Sequence, residues 1–171
     1  MARMKQIVYL TGFMGAGKSA VGRELATLLR RPFIDLDLSI ERAAGSSVAS
    51  LFARRGEAAF RALESRALAR AAKRGRAVVA LGGGTLLSAK NKALVARTGF
   101  LVNLACSRAE LVRRLGPVRA TRPLLAGGAL SARVGALLRA RRAAYEAADW
   151  TVSTTRNSPQ VAATLIAGRL P

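Results

Sequence analysis

The sequence predicts an α/β fold built on a parallel sheet, and three observations carry that expectation. Short apolar runs at 7–10, 33–36, 78–81, 100–104 and 150–152 alternate with longer stretches of helical periodicity. That alternation is the rhythm of parallel strands joined by helical crossovers. Residues 12–19 read Gly-Phe-Met-Gly-Ala-Gly-Lys-Ser, a glycine loop set between the first apolar run and the first helical pattern. Finally, 171 residues fit a single domain, residues 1–171, that buries roughly 70% of its unfolded surface. The only cysteine is Cys106, so no intrachain disulfide is available or needed.

Taken in order, the strand at 7–10 feeds the loop, which matches G-x-x-x-x-G-K-[ST] in full. The mechanism behind that pattern needs a strand, a glycine loop and a helix, expected here over 20–30. Gly12, Met14, Gly15, Ala16, Gly17, Lys18 and Ser19 then form a cradle for the phosphates of ATP, whose backbone N–H groups and helix dipole face the anion. Lys18 reaches the β- and γ-phosphates, and the Ser19 hydroxyl is a ligand type that Mg²⁺ takes.

The second strand, 33–36, ends in Asp35 and Asp37, which strand periodicity points to one face. Nine acidic residues serve the whole chain, so two at the carboxyl edge of a strand, where α/β ligands bind, are expected to act together. One could hold Mg²⁺ with Ser19 and the other take a proton from an acceptor hydroxyl. The simpler alternative makes Asp37 the cap of the next helix. A helix over 57–73 carries Arg61 and Glu64 three residues apart, close enough for the carboxylate to orient the guanidinium. The strand at 78–81 runs into Gly82, Gly83 and Gly84, where a substrate could approach the backbone closely. Helices over 90–97 and 108–115 flank the strand at 100–104. Residues 116–128 form a long basic loop with Pro117, Arg119, Arg122, Pro123 and a Gly127-Gly128 pair, a candidate lid. A helix over 130–147 carries Arg141, and the strand at 150–152 and a helix over 159–170 complete the pattern.

Composition excludes some chemistry. With no histidine, proton transfer falls to carboxylates, lysine or arginine, and metal binding to oxygen ligands. The net charge of +20 would suit a nucleic-acid binder, but the arginines are spread along the helices and no stacking aromatics interleave with them, so no specific nucleic-acid partner is expected. The apolar stretch at 7–10 is too short for a signal peptide or a membrane span, so a cytoplasmic protein with no membrane partner is expected. Glycines rather than an aspartate end the strand at 78–81, which removes the Walker B carboxylate of motor ATPases from that position. Asn91-Lys92 is followed two residues later by Leu94, so the base-reading Asn-Lys-x-Asp of GTPases is missing as well.

In their order and approximate spacing, the glycine loop, Asp35-Leu36-Asp37, Phe60-Arg61 with Glu64, Gly82 to Gly84, Arg122-Pro123-Leu124-Leu125, and Arg141 four residues before Tyr145 resemble the shikimate kinases over almost the whole chain. The resemblance implies the three-layer α/β/α fold of phosphate-loop kinases, with a five-stranded parallel sheet, a substrate-binding segment at about 37–64 and a mobile lid at about 116–128. It implies Mg²⁺-dependent transfer of the γ-phosphoryl group of ATP to the 3-hydroxyl of shikimate, in aromatic amino-acid biosynthesis, by a monomer. It also implies roles. Lys18 and the loop amides hold phosphates, Ser19 and Asp35 hold the metal, and Asp37 receives the hydroxyl proton. Arg61, Gly82, Gly83, Gly84 and Arg141 bind shikimate, Glu64 orients Arg61, and Arg122 closes over the ATP phosphates. Arg114, Arg156 and Pro159 are placed around the adenine. Arg142 competes with Arg141, and the spacing to Tyr145 selects Arg141. The nearest rival is a related kinase of another small hydroxy acid such as gluconate. A binding protein that uses its basic surface on RNA is the rival from another class, and an intact Lys18, Asp35 and Asp37 argue against it.

Overall fold

The computed structural model describes residues 6–171. Its strands, β1 (Ile7–Gly12), β2 (Phe33–Asp35), β3 (Val78–Ala80), β4 (Gly99–Ala105) and β5 (Trp150–Ser153), form one parallel sheet in the order β2-β3-β1-β4-β5. The chain leaves β1 for the edge strand β2, returns to β3 and then crosses to β4 and β5, so the order reverses at β1. In open α/β sheets the ligand crevice lies at the carboxyl ends of the strands where this reversal occurs.

Strand β1 is buried along its whole length, and its alternate residues feed two cores. Ile7 and Tyr9 pack with Leu36, Ile40, Phe60, Leu68 and Val95, under helices α2 (Leu36–Ala44), α3 (Val48–Lys73) and α4 (Ala89–Thr98). Val8 and Leu10 pack with Val21, Leu25, Ala162 and Ile166, under α1 (Lys18–Leu29) and α7 (Pro159–Ala167). Two apolar faces with helices on each are what a buried parallel strand requires. A third cluster of Phe13, Leu111, Leu115, Leu125 and Val134 joins the glycine loop to α5 (Arg108–Leu115) and α6 (Leu130–Glu146).

Three elements differ from the sequence expectation. Leu36 opens α2 instead of extending β2, and Asp35 is the helix N-cap, its Oδ1 accepting from the Leu38 N–H at 3.2 Å. Asp35 and Asp37 therefore converge as a cap and a first-turn residue, not by strand alternation. Helix α3 begins at Val48, capped by Ser47, and passes through a break at Gly56, whose φ of 76° is left-handed, before the stretch expected from 57. Residues 116–128 are not a plain loop either: they hold 3-10 turns at Gly116–Thr121 and Pro123–Leu125, with Leu125 fully buried in the third cluster.

Candidate active site

The glycine loop leaves β1 with a backbone that side chains would obstruct. Gly12 has φ of 147°, and a Cβ there would sit 2.6 Å from the Leu104 carbonyl oxygen. Gly17, at φ 96°, is the N-cap of α1 and has no side chain to satisfy the first amides, which are left to a ligand. Lys18 folds back, donating from Nζ to the Gly12 carbonyl at 2.8 Å and the Phe13 carbonyl at 3.2 Å. Burial pulls its ammonium down to about 8, while Asp37 and Asp35 hold it up against that fall. From outside, Thr154 Oγ1 donates to the Ala16 carbonyl at 2.8 Å, and Arg114 Nη1 donates to the Gly15 carbonyl at 3.1 Å. Arg114 is fixed in turn by the Thr154 carbonyl and by Glu110, whose carboxyl is held down to about 2 by hydrogen bonds from Arg113 and Arg114. The loop is braced before any ligand arrives.

At the mouth of α2, Ser19 Oγ donates to Asp35 Oδ2 at 2.6 Å, so a hydroxyl and a carboxylate oxygen already lie together beside the loop. Asp37 is pushed up to about 6, first by burial and then by Asp35, with Lys18 opposing the shift. A carboxylate so displaced takes up a proton more readily than an ordinary one.

The three glycines after β3 form the floor on which the remaining side chains meet. A Cβ on Gly82 would come within 2.6 Å of Glu64 Oε1 and 2.8 Å of Asp37 Oδ1, and one on Gly83 within 2.6 Å of Arg141 Nη1. One on Gly84 would collide with the Arg61 guanidinium. The arginines of α3 and α6 thus lie over consecutive residues of one strand-end turn. Glu64 is 1% exposed and fully engaged, accepting from Arg61 Nη1 at 2.8 Å and from Thr85 Oγ1 at 2.6 Å. Arg61 also donates to Glu57 and lies against the rings of Phe60 and Phe52. Arg141 is 7% exposed and lies over the Phe13 ring, yet its Nη1 is buried without a short hydrogen bond among the described residues. The adjacent Tyr145 phenol is pushed up by burial and drawn back by the charge and guanidinium of Arg141, and its oxygen makes no other hydrogen bond among the described residues. Arg142 points outward and pairs with Glu146 at 2.6 Å.

Other expected residues are more dispersed. Arg122 is exposed at the end of the first 3-10 turn, near enough to Lys18 to help lower it. Arg156 is exposed in the loop before α7, and Pro159 is half-buried at the first position of that helix. Sequence reasoning missed Phe13, Thr85, Glu110, Thr154 and Asn91, whose Nδ2 donates to the Thr85 carbonyl at 3.0 Å. Each is a single residue with no spacing signal, apart from the cap-like position of Glu110 three residues after Ser107.

The ensemble offers an anion cradle, a pair of oxygen ligands, a carboxylate with a raised pKa and two convergent guanidiniums. Among the described residues no group of three or more His, Cys, Asp or Glu forms a metal cage. Ser19 and Asp35 still fit Mg²⁺, which takes one or two hard protein oxygens and leaves its other positions to water and phosphate. The family model for shikimate kinase matches residues 14–169. The chain belongs to the shikimate kinase family. It is 40% identical to the shikimate kinase of Geobacter metallireducens over 163 residues, 95% of this chain and 90% of that one. The shikimate kinase of Acinetobacter baumannii, solved in complex with shikimate, superposes with a TM-score of 0.89 at 32% identity, covering 99% of this chain and 97% of its own. A gluconokinase from Sinorhizobium meliloti reaches a TM-score of 0.58 at 19% identity over 97% of this chain and 92% of its own, a likeness of fold alone. These relations favour the shikimate kinase reading over the gluconate one.

Proposed function

We propose that this shikimate kinase moves the γ-phosphoryl group of ATP to the 3-hydroxyl of shikimate, with its acceptor held by Arg61 and Arg141 over Gly83 and Gly84. The observation that carries the acceptor reading is the Nη1 of Arg141, buried without a short hydrogen bond among the described residues. A desolvated cationic donor beside the Gly83 backbone favours an anion, and the carboxylate of shikimate supplies one. Arg61, already oriented by Glu64, is the second arm of the clamp.

Each remaining step falls to a group of this chain. Lys18, released from the Gly12 and Phe13 carbonyls, holds the phosphates with the loop amides. Ser19 and Asp35 would hold Mg²⁺, which when bound neutralises phosphate charge. Asp37 takes the proton from the attacking 3-hydroxyl as the new oxygen-phosphorus bond forms and the bond to ADP breaks. Its raised pKa suits it to gain that proton. Arg122 covers the transferred group from the lid, and Arg114, Arg156 and Pro159 line the adenine end. Because the transition state is loose, positioning and charge neutralisation carry the catalysis.

We propose a monomer as the working unit. Among the described residues no helix is long and apolar enough to cross a membrane, and we place the reaction in the cytoplasm without a nucleic-acid partner. An ADP-release assay across shikimate, quinate, gluconate and nucleoside monophosphates tests the proposal. Shikimate is expected to be the preferred acceptor by a wide margin; a preference for gluconate would overturn it.

A further inference from the structure

One half-buried arginine of the lid has no part in the chemistry described above. Arg119 donates from Nε to the Leu125 carbonyl at 3.1 Å and from Nη2 to the carbonyls of Gly127 at 3.2 Å and Gly128 at 2.5 Å. Its neighbours from Gly116 to Val118 and from Ala120 to Arg122 are exposed, so its side chain alone turns inward across the segment. The backbone on this side is tied as well: the Arg122 N–H donates to the Arg119 carbonyl at 3.0 Å and the Leu125 N–H to the Arg122 carbonyl at 2.9 Å. Leu125 is anchored in the core, while Gly127 and Gly128 sit at φ 73° and 62° with open space around them.

Two consecutive glycines give this end of the lid more backbone freedom than a pair of any other residues would. A guanidinium fork that binds the carbonyls of both, and that of Leu125, removes much of it in advance. We propose that Arg119 is a positioning residue, a strap across the lid that holds the Arg122-bearing turn in register with the glycine loop before ATP binds. This deepens the proposed function and rests on Arg122 as the phosphate-binding side chain of the lid. A lysine could not do the same work, because one ammonium lacks the planar fork that spans the three carbonyls.

The test compares Arg119→Gln, Arg119→Lys and Arg122→Ala in the full chain. Steady-state kinetics with ATP and shikimate are combined with amide hydrogen exchange of the nucleotide-free protein. Arg119→Gln is expected to lower kcat/KM for ATP about 5- to 30-fold. The KM for shikimate should stay within about twofold, and the Leu125 amide should exchange roughly tenfold faster or more while β1 and β4 amides keep their rates. Arg119→Lys should recover only part of the loss. Wild-type ATP kinetics in Arg119→Gln, with Arg122→Ala damaged, would overturn the strap and leave the role of Arg122 standing. Faster exchange without a kinetic change would also overturn it, as would equal losses toward both substrates with sheet amides loosened. Normal turnover in Arg122→Ala would overturn the lid reading and the strap together.

Discussion

Replacing Arg141 with methionine separates the stability of this fold from its function. The guanidinium is 7% exposed, its Nη1 has no short hydrogen bond among the described residues, and its favourable neighbours are the Phe13 ring, 5.9 Å from Cζ to the centroid, and the Tyr145 phenol. A buried donor left unpaired costs about 1–3 kcal/mol, and more when charged, whereas a ring contact of this kind returns about 1–2 kcal/mol. Methionine fills a similar volume without the charge, so Arg141→Met is expected to keep or raise the thermal midpoint of the ligand-free protein. The same change removes one arm of the proposed carboxylate clamp, and losing one partner of a buried charge-assisted pair costs about 2–4 kcal/mol, or roughly 30- to 1000-fold in kcat/KM for shikimate. The KM for ATP should barely move. Arg142→Ala is the control: that side chain is 77% exposed and among the described residues pairs with Glu146 alone, so its loss should cost less than about 1 kcal/mol. Scanning calorimetry and coupled ADP release read the two effects. A large fall in the midpoint of Arg141→Met would refute the view that this arginine is held for the ligand at the expense of the fold. A benign Arg141→Met beside a damaging Arg142→Ala would put the clamp one residue away.

Four further outcomes follow from the site. Lys18→Ala should abolish phosphoryl transfer with the circular dichroism spectrum intact; near-normal turnover would break the nucleotide assignment. Asp35→Asn should raise the Mg²⁺ requirement strongly, whereas Asp37→Asn should lower kcat with less effect on ATP binding, and indistinguishable metal titrations would deny that division. The folded pKa of Asp37, about 6, exceeds its ordinary value of 3.8, so the folded state binds the extra proton between those limits and loses stability as pH rises through them. In metal-free, nucleotide-free protein Asp37→Asn should therefore raise the thermal midpoint at pH 7.5 and give little gain at pH 4, and a pH-independent gain would contradict the burial argument. Gly83→Ala should reduce shikimate turnover by placing a Cβ 2.6 Å from Arg141 Nη1, with ATP binding retained; wild-type kinetics would mean that the arginine is not held there in solution.

Much of this arrangement is legible in the chain because its signals are local. The glycine loop, the apolar runs and the Arg61-Glu64 spacing each lie within a few residues, and their physical reasons act at the same range. Helix α2 is not legible in this way. Asp35, Leu36 and Asp37 alternate polar and apolar as a strand does, and only the Leu38 N–H donating to Asp35 shows that the chain has already turned. The first turns of α3 are hidden similarly by Gly56, which reads as a terminator but occupies a left-handed break within the helix. Gly82 to Gly84 suggest a close approach to the backbone, but the sequence does not reveal that arginines and carboxylates from α2, α3 and α6 are the groups that approach. Thr85 and Thr154 act across the fold, and Arg119 across the lid. A lone threonine, or one arginine among 29 basic residues, carries no mark of it.

The most direct measurement is the identity of the product. The purified chain is incubated with ATP, Mg²⁺ and shikimate, and the mixture is followed by phosphorus and proton NMR. One ADP should form for each shikimate consumed, with the new phosphorus resonance coupled to the proton on C3. ADP formation without a phosphorylated shikimate, or a phosphate on a different hydroxyl, would contradict the placement of the acceptor over Gly83 and Gly84 with its 3-hydroxyl at Asp37.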